Sequence, residues 1–358
     1  MSYSLALGPF HPAWRGPQRF ILRIDGERIA DLEYRDGYNE RGCAERLPRL
    51  DLPQALFLVS RICGTCSVAH TLAFCQAIES LCGIGVGERA VLLRTAAAEL
   101  ERVASHLAAA ATVLETIGLD TQAAVLRNLR EATQRVMLRV SGARMAPDFC
   151  IPGGVKRAVS VKDREESLLT LPKLTRSVFR TIETMIDDRA LLARTVEVGG
   201  LPRAAAEQYG VRGPMARASG IVRDVRADSS YAGYTLLPFR LVTQEGGDLY
   251  ARLLVLVLEA YEALKLADLA LQDLSAGDWQ GEYPTALNPG SAAAAVEAPR
   301  GMVRYTIESD GTQLTKVRID TPRQLDRLLA RTLLAGALLD NTVPIIASCD
   351  TCTACAEQ

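Results

Sequence analysis

The chain has 358 residues, 48% of them hydrophobic, and a formal net charge of −1. That supplies a sizeable core for one large or two modest domains, and the balanced charge excludes nucleic acid as a default partner. Nine cysteines, an odd number not spread like a secreted disulfide framework, and no opening signal peptide point to a reducing cytoplasm.

In chain order, Arg19–Ile24, Asp25-Gly26 and Glu27–Tyr34 read as a β-hairpin about an Asp-Gly turn. Apolar residues then recur at helical spacing in Leu52–Leu81 and Ala90–Ile117. A further helix is expected from Gly247 to about Leu274. The small-residue stretch Ser291–Val296 reads as a linker. Met302–Ile307 and Thr315–Ile319 read as two strands, and Thr321-Pro322 as the start of a helix toward Leu339. The most apolar runs, Leu253–Leu271 and Leu328–Ala347, are interrupted by charges, so no direct membrane span is expected. The fold class is mainly α (α+β), a helical core with a small N-terminal β region and a short C-terminal β insertion. Its parts are 1–50, 51–285 and 286–358, expected as one integrated domain.

Two Cys-x-x-Cys pairs stand near opposite ends of the chain, Cys63 with Cys66 and Cys352 with Cys355. Brought together they make a four-thiolate nest for a soft metal. Their wide separation requires the whole fold to assemble such a site. Spacing alone leaves structural zinc, a catalytic metal and redox dithiols open. His70 falls four residues past Cys66, on the same face of a helix. Walker and dinucleotide glycine fingerprints are absent, as is a Ser/His/Asp pattern.

The flanking residues go further. Arg61-x-Cys63-Gly-x-Cys66-x-x-x-His70 and Asp350-x-Cys352-x-x-Cys355 resemble the paired signature of the [NiFe]-hydrogenase large subunit, in its energy-converting, membrane-associated branch related to the quinone-site subunit of complex I, an NADH-quinone oxidoreductase. The resemblance continues in Gly8-Pro-Phe-His-Pro12, Gly37–Gly42, Glu99-x-x-Arg102-x-x-x-His106, Ile151–Val155, Gly213–Gly220 and Glu297–Gly301. It implies the reaction H2 ⇌ 2H+ + 2e− at a Ni-Fe(CN)2(CO) centre. Cys63 and Cys352 would be terminal nickel ligands, with Cys66 and Cys355 bridging to iron. Cys352 would be the first base, Arg300 would face the open side of the metal pair, and His70 would hydrogen-bond near a sulfur or diatomic ligand. His11, Glu40 and Glu45 are candidates for onward proton transfer. Implied partners are an iron–sulfur small subunit, the membrane arm of a complex-I-like assembly and maturation factors, with the chain peripheral on the cytoplasmic side of the inner membrane.

The sequence also departs from that family. Gly16 stands where a proton-relay Glu is usual, Glu40 where His is usual, Ala44 where Glu is usual, and Thr351 replaces the Pro before Cys352. Two alternatives follow: a complex-I-like subunit forming a quinone or other acceptor cavity, and a hydrogen sensor.

Overall fold

The computed structural model describes residues 2–229 and 231–358. Strands β1 (Ser2–Leu7), β2 (Arg19–Asp25) and β3 (Arg28–Arg35) form an antiparallel sheet in that order. The hairpin expected at Asp25-Gly26 is present, with Asp25 paired to Arg28 across the turn. Alternation sends Phe20, Leu22 and Ile24 into the core. Strand β1, which the sequence reading did not include, alternates Tyr3, Leu5 and Leu7 with Ser2, Ser4 and Ala6, but only Leu5 and Leu7 are partly buried.

The region read as one helix over Leu52–Leu81 is two. Helix α1 (Leu52–Val59) is capped by Asp51, whose carboxylate accepts the Gln54 amide at 2.8 Å, and has Pro53 in its first turn. Helix α2 spans Ser67–Cys82. The break between them carries the first cysteine pair, and the Ser67 hydroxyl closes it by donating to Ser60 O at 2.7 Å. Helix α3 (Glu88–Thr116) is buried on nearly every side and packs against α4 (Asp120–Ser141) and α6 (Leu249–Gln272), and α5 (Val161–Ile186) closes the bundle against those two. Helix α6 agrees closely with the expected span and is capped by Asp248, which accepts the Ala251 amide.

The second sheet holds β4 (Pro289–Ala298), β5 (Gly301–Asp310) and β6 (Leu314–Asp320). Strand β4 corrects the linker reading of Ser291–Val296. Alanine is a poor strand former, but here Ala292 and Ala294 pair with Ile307 and Tyr305, and the small side chains let the strand lie close against α2. The helix expected from Thr321 is also corrected. Helix α7 covers only Arg327–Leu334, because Asp326 supplies its cap and Gly336, at φ +84°, follows its end. Helix α8 (Thr342–Ser348) then delivers the last cysteine pair. One apolar cluster includes Phe20, Leu72 and Val303, so all three regions of the chain share a core.

Candidate metal centre

The two cysteine pairs meet in the interior. Cys66 is the residue at which α2 begins, and Cys352 opens the short helix Thr353–Ala356. Cys63 Sγ lies 3.5 Å from Cys352 Sγ. The sulfurs of Cys63, Cys66 and Cys355 all fall within 4.8 Å of one another. Two sulfurs bonded to one tetrahedral metal at about 2.3 Å stand roughly 3.8 Å apart, so the donor set fits a shared soft-metal site. In the thiol form the four groups share protons. Bonding to Cys352 lowers Cys63, and Cys355, Cys63 and the Arg300 charge hold Cys66 well below the usual thiol range. Cys355 is pushed well above it by its bonds to Cys352 and the other two sulfurs.

Asp350 enters this segment at φ +47°, a left-handed conformation. The usual Pro is missing at position 351, yet the turn is held: Gln18 Nε2 donates to Thr351 Oγ1 at 2.7 Å. Gln18 in turn accepts from Tyr34 at 3.1 Å and is wholly buried.

Arg300 sits at the tip of the tight turn Pro299-Arg300 between β4 and β5, where Ala298 pairs with Gly301. It is 2% exposed. Its Nε donates to Asp350 O at 2.8 Å and its Nη2 lies 3.0 Å from the Asp350 carboxylate. Its Nη1 donates to Thr65 Oγ1 at 3.1 Å and to Cys66 Sγ at 3.3 Å. A Cβ on Gly213 would lie 2.3 Å from Arg300 O, so only glycine lets that segment pack beneath the turn.

On the opposite side, His70 Nε2 stands 3.3 Å from Cys355 Sγ and its Nδ1 2.8 Å from the Tyr305 hydroxyl. Burial lowers His70 to about 4, so the ring is neutral near pH 7. Burial also raises Tyr305, keeping its proton on and making it the donor to Nδ1. The other nitrogen therefore carries the ring proton and donates it to Cys355.

The motif containing Glu99, Arg102 and His106 belongs to a buried charge network. Arg102 pairs with Glu99 at 3.2 Å, and Arg226 bridges Glu99 and Asp224 at 3.1 and 2.7 Å. Arg217 reaches Asp224, Glu259 and Glu297 at 3.2, 2.5 and 2.8 Å, and His106 faces Glu259 at 2.9 Å. Arg102 also donates to the carbonyls of Glu297 and Ala298 at 2.5 and 3.2 Å. The network thus grips the strand end from which Arg300 projects.

Three residues read as candidates for onward proton transfer lie outside the direct contacts of the cysteine sulfurs. Glu40 and Glu45 are exposed and make no hydrogen bond to a cysteine sulfur. His11 is half-buried, stacked on Trp14 at 4.1 Å, with Nδ1 accepting the Ala13 amide. Cys349, next to this segment, gives its S–H to Ile345 O, and burial pushes it up to about 11. Gly16 has φ +92°, and a Cβ there would lie 1.8 Å from Thr353 Oγ1. A side chain at position 16 therefore collides with the segment between Cys352 and Cys355. Gly16→Ala is expected to lower stability by about 2 kcal/mol or more from the left-handed φ and the overlap together. An unchanged urea midpoint would contradict this.

The buried carboxylate beside the centre is instead Glu101, which the sequence reading passed over between Glu99 and Arg102. It accepts the Val68 and Ala69 amides at 2.8 and 3.0 Å, capping α2 from α3. Burial is the chief cause raising it to about 7, with Cys63 adding to the shift and Arg102 opposing it. Glu101, Thr65 and Gly64 line one cavity, which reaches the surface at Gly64.

Comparison with known proteins agrees with this architecture. The family described as "Respiratory-chain NADH dehydrogenase, 49 Kd subunit" matches residues 116–289 and 283–358. The carbon monoxide-induced hydrogenase of Rhodospirillum rubrum is 31% identical, over 100% of this chain and 99% of its own length. A D-type NADH-quinone oxidoreductase subunit of Salinispora tropica is 33% identical, over 96% of this chain and 90% of its own length. Among solved structures, a chain of the membrane-bound sulfane sulfur reductase (MBS), an archaeal respiratory membrane complex, superposes with a TM-score of 0.92 at 26% identity, covering 100% of this chain and 98% of that one. The chain belongs to the 49 Kd subunit family of respiratory-chain NADH dehydrogenase, and its relatives there include hydrogenase subunits.

Proposed function

We propose that the chain is the catalytic large subunit of a [NiFe]-hydrogenase within a membrane-associated complex, catalysing H2 ⇌ 2H+ + 2e−. The observation that carries this reading is the meeting of four cysteine sulfurs with Arg300 on one side and His70 on the other. Cys63, Cys66, Cys352 and Cys355 would hold the nickel–iron pair through their four sulfurs. When bound, a nickel–iron pair carrying CO and cyanide would supply the soft Lewis acid at which H2 is split.

The chain's own groups position and move protons. Arg300 keeps a fixed positive fork over the nest, tied to Asp350 and Thr65. His70 donates to Cys355 and tempers its basicity. Cys352 takes the first proton. Thr65 Oγ1, 3.3 Å from Cys63 Sγ, and Glu101, on the wall of the same cavity, join His11, Glu40 and Glu45 as candidates to carry it outward. An acidity near pH 7 suits a group that both takes and gives a proton.

Electrons leave to an iron–sulfur small subunit. Among the described residues, Cys63, Cys66 and Cys355 make the only close cluster of metal-ligand side chains, and the nest has no second set of cysteines for a cluster of its own. No helix of the described residues is long and apolar enough to cross a membrane, so the membrane arm is reached through partners. Maturation factors would insert the centre. The similarity to a subunit of NADH-quinone oxidoreductase favours a second reading, an acceptor-cavity subunit without hydrogenase activity.

Matured complex is expected to exchange D2 with solvent protons, and Glu101→Gln to slow that exchange. Complex that carries metal but shows no exchange would contradict the hydrogenase reading. Stability gives a second readout for Glu101. Its acidity is about 7 in the fold against 4.5 for an ordinary Glu, so between those values the native state binds the extra proton. Its contribution is therefore full below pH 4.5 and is lost as pH rises through 7, on the order of 3 kcal/mol. Glu101→Gln should remove that slope from the difference between the two proteins, and parallel stability–pH curves would contradict the assignment.

A further inference from the structure

A cavity of about 240 Å³ runs between α3 and α4 beside the metal centre. The mechanism above uses only its inner end, at Thr65 and Glu101. Leu100, Ala104, Ala108, Met137 and Ala146 give it apolar walls, and four arginines gather around it: Arg15, Arg127, Arg130 and Arg144.

Two of the four are neutralised, Arg127 by Glu115 and Arg144 by Glu131. Arg130 has no carboxylate within 4.0 Å among the described residues. The nearest to Arg15 is Asp350 at 3.7 Å, already held by Arg300. Burial, and the charges of Arg15, Arg127 and Arg144, hold Arg130 below the usual arginine range. The interior is also incompletely satisfied. Ser105 Oγ and Gln134 Oε1 line the cavity, belong to residues 3% and 5% exposed, and have no hydrogen-bond partner. Arg15 Nη1 is likewise buried and unpartnered.

Water can hydrogen-bond such atoms but does not cancel the charge. An uncharged apolar occupant would fill the walls and leave two cations facing each other across a drier site. An anion with a hydrocarbon end meets both the charge and the walls. A guanidinium pair matches a carboxylate, the Ser105 hydroxyl can donate to it, and the apolar walls take the rest, while Gln134 Oε1, an acceptor, is left to water. The volume is below the roughly 300–1,000 Å³ of pockets for drug-sized ligands, which keeps the occupant small.

We propose that this cavity binds a small organic carboxylate, with its charge on Arg15 and Arg130 and its short hydrocarbon tail against Leu100, Ala104 and Met137. Arg15 ties the site to the centre. Its backbone carbonyl accepts the Thr353 amide at 3.3 Å, and its guanidinium reaches both Ser105 O and Asp350.

The test is titration calorimetry and thermal denaturation of the full chain, alone and in its complex. Butyrate is the probe, butyramide its uncharged counterpart, and chloride holds ionic strength constant. Butyrate is expected to bind saturably and raise the melting temperature in both preparations, and butyramide to do neither. Arg130→Gln should weaken butyrate at least tenfold. It should not lower the melting temperature of the unliganded protein, because it removes a like-charge contact, so a binding loss will not be a folding loss. Equal effects of butyrate and chloride, or of butyrate and butyramide, would overturn the proposal. So would binding to the chain alone but not to the complex, which would assign the cavity to an acidic side chain of a partner subunit.

Discussion

Arg300→Lys, matured in its complex, is expected to retain nickel and iron and to lose hydrogen turnover on the order of a hundredfold. The substitution keeps the charge and removes the geometry. Arg300 holds four positions with one rigid plane: the Asp350 carbonyl, the Asp350 carboxylate, Thr65 Oγ1 and Cys66 Sγ. An ammonium group on a flexible stem keeps one or two of these and lets the others go. The thiolates themselves are untouched, so metal content should not fall. Near-normal hydrogen uptake with full metal content would show that the fork has no part in turnover.

The largest loss of stability is expected from Arg217→Ala. Its guanidinium faces three carboxylates, those of Asp224, Glu259 and Glu297, and all four residues are buried. Removing one partner of a buried ion pair costs about 3–5 kcal/mol, because the charge left behind cannot reach water. With three carboxylates left, the upper part of that range is expected, together with a raised proton affinity for Glu297. The strand end held by Arg102 carries Arg300, so turnover should fall with stability. Arg217→Met provides the control for lost volume. If urea midpoints for both variants match the parent protein, the network does not anchor this part of the fold.

The sequence carried the centre more fully than it carried the frame. The Cys-x-x-Cys pairs, Arg300 and His70 are legible because soft-metal chemistry needs those atoms and tolerates few substitutes. The break between α1 and α2 is less legible. It depends on Ser67 bonding to Ser60 O and on a carboxylate from α3, and neither contact has a local pattern. Strand β4 escaped notice because its alanines obey the demand of a neighbouring helix for small side chains rather than any strand propensity. Glu101 was hidden by its neighbours. Glu99 and Arg102 fit a motif, while the separate role of Glu101 appears only once α2 begins directly above it. Gly16 reads as a lost relay residue in the sequence and as a contact with Thr353 in the fold. Glu40 and Glu45 are candidates by analogy of position, whereas Glu101 is a buried carboxylate that only the packing of α2 on α3 brings beside the centre.

The central claim is that Cys63, Cys66, Cys352 and Cys355 together hold a nickel–iron centre. Metal analysis with infrared spectroscopy of protein matured alongside its assembly factors tests it most directly, since CO and cyanide ligands absorb where protein is nearly silent. Nickel and iron together, with those bands present and lost in Cys66→Ser, are the expected result. Zinc alone, or a metal-loaded chain without diatomic bands, would contradict the account and leave the acceptor-cavity reading in its place.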